Sequence, residues 1–402
     1  MPSADDESMQ TVVLAAGEGT RMRPLTNTRP KPLLPVAGQT LVEHTLEAAR
    51  MAGASRFVVV SGYRGEEVRS ALGDDYGGVP VVYVDQGDPE GTADAVAAAR
   101  PALADEPFVV LNGDCLYDAP SLAALYEAGP AVGAKRVDDP SNYGVLETVD
   151  DRVTGVIEKP DDPPSDLANV GAYVFPAAAR DWLDVDPSER GERELTDVLA
   201  RVVENAAVTP VPVDRWLDVG RPWELLAANE WQLAGLDRDV SGDVADDATV
   251  SGSVVVEASA TVESGVVIEG PVLVRSGATV GPNAYVRGST VLCEDVHVGH
   301  AVEVKNSVLF PGAHAAHLSY VGDSVLGAET NLGAGTTVAN LRHDEAPVRL
   351  TVKDDRVSTG RRKFGVVLGD CAKTAVDTSL NAGVTMGVGA TTAPGESVTR
   401  DR

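Results

Sequence analysis

The second half of the chain carries a repeat that leaves few folds open to it. Every sixth residue from Val244 onward is apolar: Val250, Val256, Val262, Ile268, Val274, Val280, Val286, Leu292, Val298, Val304, Phe310 and Ala316. Two residues before each of these from Val250 to Val304 stands a small or β-branched residue, from Ala248 and Val254 through Val296 and Val302. The phase slips after Ala316, resumes at Leu326, Leu332 and Val338, and returns at Leu368, Leu380 and Met386. A period of six is neither strand alternation nor a helical period. It predicts a solenoid in which each hexapeptide forms one flat side of a coil and stacked coils bury a continuous core. The repeat breaks over 341–367, a stretch that holds Arg342, Arg349, Lys353, Arg356, Arg361, Arg362 and Lys363. In an acidic chain such a stretch is either a solvated loop paired with neighbouring carboxylates or an anion site.

Residues 10–235 read differently. Short β-branched runs at Thr11–Ala16, Phe57–Ser61, Val79–Val84 and Phe108–Asn112 alternate with helical stretches at Leu41–Met51, Ala93–Ala99 and Leu122–Tyr126. This alternation predicts a mostly parallel α/β sheet. Further strands at Ala131–Arg136, Gly144–Leu146, Val153–Glu158 and Val170–Phe175 come with fewer helices and predict an added region on the same sheet. The expected organisation is therefore a flexible acidic N-terminus over 1–9, an α/β domain over 10–235 and a solenoid over 236–402.

Charge narrows the partners. The formal net charge is −28, a surface that repels nucleic acid and anionic membrane. The lysines are confined to Lys31, Lys135, Lys159, Lys305, Lys353, Lys363 and Lys373, so most basic residues are arginines. An acidic, lysine-poor, aromatic-poor surface suits a high-salt cytoplasm, where screening relieves self-repulsion, and predicts a halophilic protein. No apolar run is long enough to span a bilayer. The polar start Met1-Pro2-Ser3-Ala4-Asp5-Asp6-Glu7 lacks the order of a signal peptide, so a cytoplasmic location is expected. Cys115, Cys293 and Cys371 are too scattered to indicate a zinc site or a disulfide framework.

The first expected strand runs straight into Gly17-Glu18-Gly19-Thr20-Arg21, followed by Arg29-Pro30-Lys31-Pro32. Glycines after a strand let backbone N–H groups close around phosphates. Transfer at a triphosphate also needs cations around the phosphates. Arg21 is suited to the leaving phosphates, and Lys31 to the α-phosphate and the attacking phosphate. The string Leu14-Ala15-Ala16-Gly17-Glu18-Gly19-Thr20-Arg21 through Pro30-Lys31-Pro32 resembles the signature of sugar-1-phosphate nucleotidyltransferases. The resemblance implies a Rossmann-like core, with Leu14, Ala15, Ala16, Gly17, Gly19 and Thr20 at the nucleotide and Gln86, Gly91 and Thr92 at the base. It places Gly144, Glu158 and Asn169 at the sugar and Asp114 at magnesium. Asp218, in Trp216-Leu217-Asp218-Val219-Gly220, supplies the second carboxylate of a normal magnesium site.

The solenoid resembles the left-handed parallel β-helix of hexapeptide-repeat transferases, which are commonly trimers. Within it, Ala315-Ala316-His317-Leu318-Ser319-Tyr320-Val321-Gly322-Asp323 resembles the active-site segment of glucosamine-1-phosphate acetyltransferase domains. Arg287, Lys305, Asn331, Ala334 and Asn340 fall at matching spacing. The resemblance implies that Arg287, Lys305 and Tyr320 grip a sugar phosphate, that His317 is the base, and that Asn331 and Asn340 orient the amine and the oxyanion. Ala334 would meet acetyl-CoA, and the basic break is a candidate for its phosphates. His300, His314 and His343 show no such context.

The bacterial bifunctional enzymes continue beyond their β-helix, whereas this sequence stops at Arg402, and the coenzyme A contacts around Ala375–Leu380 and Ala393-Pro394 match poorly. The combination resembles archaeal bifunctional sugar-1-phosphate nucleotidyltransferases over nearly all of residues 10–395. The expected reaction is acetylation of glucosamine 1-phosphate by acetyl-CoA, then coupling to UTP with release of pyrophosphate. The competing expectation is a monofunctional glucose-1-phosphate thymidylyl- or uridylyltransferase, using dTTP or UTP, whose β-helix only trimerises. A third, a non-catalytic partner with a degenerate site, is opposed by the intact set Arg21, Lys31, Asp114 and Asp218.

Overall fold

The computed structural model describes residues 9–402. The expected flexible N-terminus therefore lies outside the described residues except for Met9, which opens the first strand. The chain forms two compact units. The first holds residues up to Glu18, then Pro30–Leu33 and Thr40–Asp218; the second holds Gly19–Arg29, Leu34–Gln39 and Val219–Arg402. The glycine-rich loop thus begins in one unit and continues in the other.

In the first unit, Met9–Ala15, Ala54–Ser61, Val79–Asp85 and Phe108–Asn112 pair in parallel, with Met9–Ala15 between Ala54–Ser61 and Phe108–Asn112. Their interiors are apolar on both faces, as strands covered by helices on two sides must be. One face packs a core around Phe57, Leu46 and Leu111, the other a core around Phe108, Phe175 and Leu199. The added strands join the same sheet through Leu167–Phe175, which runs antiparallel to Phe108–Asn112 and to Ala131–Arg136. Helix Leu41–Met51 starts where the alternation predicts because Thr40 and Glu43 form a reciprocal cap, with Thr40 N donating to Glu43 Oε2 at 2.6 Å. Helix Leu195–Asn205, which the sequence reading lacked, covers the second face with Leu195, Val198, Leu199 and Val202.

The second unit is a parallel β-helix of three stacked sheets. Val244, Val262, Val280 and Val298 lie on successive coils of one sheet, eighteen residues apart, which is three hexapeptides per coil. All but Val244 are buried. The next coil is one residue short: Leu309, not Phe310, pairs with Leu292, and Ala315, not Ala316, pairs with Val298. The slip therefore comes between Val304 and Val308, earlier than the six-residue count placed it, and Ala316 is half-buried rather than inward. Phe310 is nonetheless fully buried, which is why the sequence masks the slip.

The basic break folds as an antiparallel hairpin, Arg349–Val352 with Asp355–Ser358. Its guanidinium groups are largely spoken for. Arg361 binds Glu230, Arg362 lies 3.1 Å from Glu345, Arg342 lies 2.5 Å from Asp344, and Arg356 lies 3.8 Å from Asp401. Arg342, Arg356, Arg361 and Arg362 thus each face an acidic neighbour. Among the described residues no helix is long and apolar enough to cross a membrane.

Candidate functional site

The first cluster stands at the carboxyl edge of the parallel sheet, where ligands bind in open α/β folds. Asp114 occupies the turn between Phe108–Asn112 and Cys115–Tyr117, and Asp218 ends a strand paired antiparallel to Cys115–Tyr117, with Asp218 opposite Cys115. The ligand atoms of Asp114, Cys115 and Asp218 lie within 4.8 Å of one another. Lys31 is 5% exposed, and its ammonium donates to Asp114. Burial opposes its charge, but Asp114 and Asp218 outweigh burial and hold its pKa above the ordinary value. Burial pushes the Cys115 thiol well up, helped by Asp114 and Asp218, which disfavours its thiolate. The donors left are carboxylate oxygens, the hard set that magnesium takes and softer metals do not favour.

Gln86 and Gly91 hold one another. Gln86 Nε2 donates to Gly91 O at 3.0 Å and to Asp94 Oδ2 at 2.8 Å. Gly91 has φ +134°, and a Cβ there would lie 2.3 Å from Arg193 O, so only glycine fits. Thr92 Oγ1 accepts from Leu195 N at 2.9 Å. The loop expected to read the base is thus braced by Arg193 and Leu195, at the start of helix Leu195–Asn205.

Gly144, Glu158 and Asn169 converge. Gly144 pairs with Glu158 across the sheet, and a Cβ on Gly144 would stand 3.0 Å from Glu158 Oε2 and 3.5 Å from Asn169 Nδ2. Asn169 donates to Tyr173 Oη at 2.8 Å and accepts from Gly171 N. Glu194 joins this group although nothing in the sequence marked it. It is 5% exposed, and burial, then Glu158, raises its pKa, with Arg190 3.2 Å away in partial compensation. It is the buried carboxylate most directly coupled to the expected sugar residue Glu158.

Leu14, Ala15, Ala16 and Gly17 belong to the first unit; Gly19, Thr20 and Arg21 belong to the second. Gly19 adopts the left-handed conformation and caps the short helical turn Thr20–Met22. Thr26 Oγ1 closes the loop on itself by donating to Gly19 O at 2.9 Å. Met22 and Leu25 are fully buried beneath it.

A second cluster lies on the β-helix. Arg287, Lys305 and Gly322 stack in register on three coils, and Tyr285, Glu303 and Tyr320 stack beside them. At the centre is Asp323, 3% exposed, with φ +51° at a coil corner. Its carboxylate accepts from Lys305 Nζ at 2.9 Å, Asn306 Nδ2 at 2.9 Å and Asn340 Nδ2 at 2.6 Å. Asn340 also reaches Tyr320 Oη at 3.1 Å. Burial, then Asp323, raises the Tyr320 pKa. Arg287 is held by Glu303 at 2.7 Å and lies over the Tyr285 ring. Gly322 leaves room for these side chains, since a Cβ there would sit 2.5 Å from Tyr320 Oη and 2.7 Å from Asn340 Nδ2 and would push them aside.

The structure brings Arg287, Lys305, Tyr320 and Asn340 together and shows Asp323 and Glu303 as partners the sequence reading did not assign. His317 is exposed at the end of the strand His314–His317, three residues before Tyr320. His300 stands in register with it on the preceding coil, so His300 has more context than its sequence neighbourhood indicated. Asn331 lies in that same histidine-bearing sheet, in register with His314. Ala334 is on the following turn, its carbonyl bound by Asp377 N at 2.8 Å.

The comparisons with known proteins divide along the same line. A nucleotidyl transferase family model matches residues 10–234, and a model of the GMPPB C-terminal domain matches residues 268–386. A solved structure of a putative glucose-1-phosphate thymidylyltransferase from Bacillus anthracis is similar over 56% of this chain and 95% of that one, with a TM-score of 0.51 and 27% identity. Among curated proteins, the bifunctional protein GlmU of Methanococcus vannielii is 41% identical over 94% of this chain and 92% of its own length. A bifunctional sugar-1-phosphate nucleotidylyltransferase/acetyltransferase of Sulfurisphaera tokodaii is 38% identical over 98% of both chains. The chain therefore belongs to the nucleotidyl transferase family and, within it, to the bifunctional GlmU proteins that join a sugar-1-phosphate nucleotidylyltransferase to an acetyltransferase.

Proposed function

We propose that the chain makes UDP-N-acetylglucosamine in two steps, acetylating glucosamine 1-phosphate with acetyl-CoA and then coupling the product to UTP. The observation that carries the bifunctional reading is the Asp323-centred cluster, which presents Lys305, Tyr320 and Asn340 from three coils of the β-helix. A β-helix serving only as a scaffold has no use for a buried carboxylate that collects an ammonium and two amides.

In the first step, Arg287 and Lys305 hold the sugar phosphate, and the neutral 2-amine attacks the thioester carbonyl. His317 takes the amine proton as general base. Collapse of the tetrahedral intermediate forms the amide and releases the coenzyme A thiol. Asn340, already fixed by Asp323 and Tyr320, orients the sugar.

In the second step, a phosphate oxygen of N-acetylglucosamine 1-phosphate attacks the α-phosphorus of UTP, and pyrophosphate leaves. Asp114 and Asp218 would hold magnesium, which neutralises phosphate charge when bound. Lys31 stabilises charge at the α-phosphate, and the loop residue Arg21 takes the departing phosphates. Gly144, Glu158 and Asn169 position the sugar, with Glu194 behind Glu158. Gln86, Gly91 and Thr92 read the base. No protein nucleophile is required.

The test is a matrix of four nucleoside triphosphates against glucose, glucosamine and N-acetylglucosamine 1-phosphates, with and without acetyl-CoA, following pyrophosphate and free thiol. Thiol release should require glucosamine 1-phosphate, and pyrophosphate release should be greatest with UTP and N-acetylglucosamine 1-phosphate. Pyrophosphate without thiol under every condition would leave the monofunctional glucose-1-phosphate enzyme as the correct reading.

A further inference from the structure

The glycine-rich loop does not hold its shape unaided. Its last two residues before Pro30 are anchored to a buried carboxylate of the β-helix unit. Asp370 is 7% exposed, and its Oδ2 accepts from Thr28 Oγ1 at 2.6 Å and from Arg29 Nη2 at 2.6 Å. Its Oδ1 is fixed by Ala328 N at 2.8 Å, on the preceding coil. The Arg29 guanidinium lies 5.0 Å from the centre of the fully buried Phe310 ring, which adds a cation–π contact to the same anchor. Beside it, Gly369 approaches Pro24 so closely that a Cβ would stand 3.0 Å from Pro24 Cβ.

We propose that Asp370 is a positioning residue for nucleotidyl transfer: by gripping Thr28 and Arg29, this carboxylate of the β-helix sets the loop that presents Arg21 to the nucleotide. The inference rests on the nucleotidyltransferase reading above. The loop is clamped at one end and clasped at the other. Thr26 Oγ1 ties the loop back to Gly19, and Asp370 ties the residues that follow. Arg21 lies between Gly19 and Thr26, and a single proline separates Arg29 from Lys31. A buried carboxylate with one guanidinium, one hydroxyl and one amide has its charge met, so removing it leaves the half-buried Arg29 guanidinium without its carboxylate and frees the loop. The β-helix then has a second role, completing the conformation of a loop whose chemistry belongs to the other reaction.

The test uses the full-length chain and three variants: Asp370→Ala, Thr28→Val and the double variant. Kinetic constants for pyrophosphate release are measured with UTP and N-acetylglucosamine 1-phosphate varied in turn, and acetyl-CoA consumption with glucosamine 1-phosphate is measured on the same preparations. Asp370→Ala should lower kcat/KM for UTP by about tenfold or more, while the KM for the sugar phosphate and the acetyl transfer rate stay within about twofold. Thr28→Val should give a smaller loss of the same kind, and the double variant should be no worse than Asp370→Ala, because both act through one contact. Unchanged UTP constants in both single variants would overturn the inference alone, as would equal losses in both reactions or strictly additive losses in the double variant. Should Asp370→Ala fail to fold, Thr28→Val decides, since it leaves the Asp370–Arg29 pair in place. A wild-type chain that releases no pyrophosphate with any nucleotide would overturn the function reading and this inference together.

Discussion

Removing the ammonium from Lys31 would take away the cation that bonds Asp114, whose ligand atom lies within 4.8 Å of that of Asp218. Lys31→Ala should therefore cut kcat for pyrophosphate release by on the order of 10²–10³-fold, the range for loss of one preorganised charge-stabilising group. Acetyl transfer should be unaffected, and the paired assays on one preparation check both halves. Near-normal pyrophosphate release would remove Lys31 from the chemistry. These three residues were legible because each sits in a local motif: a Pro-flanked lysine, an Asn-Gly-Asp turn and a Trp-Leu-Asp strand end. Asp323, Glu194 and Asp370 were not. Asp323 sits at a coil corner in the left-handed conformation, where Asp and Asn are common for backbone reasons alone. What makes these carboxylates matter is burial and partners drawn from distant positions, and no spacing rule encodes either. A Gly322→Ala substitution tests the Asp323 cluster: its Cβ would displace Tyr320 and Asn340, and acetyl transfer should fall at least tenfold with nucleotidyl transfer intact.

At the scale of the element, periodicity carried most of the fold. Strand Phe108–Asn112 and helix Leu41–Met51 begin and end where the pattern places them. The β-helix was legible because an inward residue every sixth position is a strong demand repeated many times. The short coils were not, because near the slip both registers offer apolar residues. Ala315 and Ala316 separate the registers experimentally. Ala315 is fully buried and paired with Val298, so Ala315→Leu overpacks the core and should cost about 1–3 kcal/mol. Ala316→Leu should change stability by less than about 0.5 kcal/mol, since half-exposed positions tolerate exchange. Thermal denaturation of the two variants orders them, and the reverse order would restore the six-residue count through Ala316. The basic break over 341–367 shows the other limit of pattern reading. Its basic residues signalled a need for anions, and the structure meets much of that need internally, with Glu230 on helix Pro222–Leu233 binding Arg361.

Two properties belong to the whole molecule. The first is its net charge of −28, whose self-repulsion weakens as salt shortens the Debye length. The melting temperature should rise with KCl, and a chain most stable at low salt would refute the halophilic reading. The second is the division of labour between two clusters, each built within one compact unit: Lys31, Asp114 and Asp218 in the first, and Lys305, Tyr320, Asp323 and Asn340 in the second. With Lys31 and His317 in the roles proposed above, each step depends on its own group, so the steps should separate genetically. A Lys31→Ala chain should acetylate glucosamine 1-phosphate and stop there; a His317→Ala chain should couple N-acetylglucosamine 1-phosphate to UTP but not make it. Supplied with glucosamine 1-phosphate, acetyl-CoA and UTP, neither variant alone should form UDP-N-acetylglucosamine. An equimolar mixture should form it after a lag, because the acetylated intermediate leaves one chain and is captured by another at a rate set by its accumulation. Following the intermediate and the sugar nucleotide over time by anion-exchange chromatography checks this. If each variant keeps its own half-reaction and the mixture still yields no product, the intermediate is not released to solution, and the two sites act as a closed pair rather than as two enzymes on one chain.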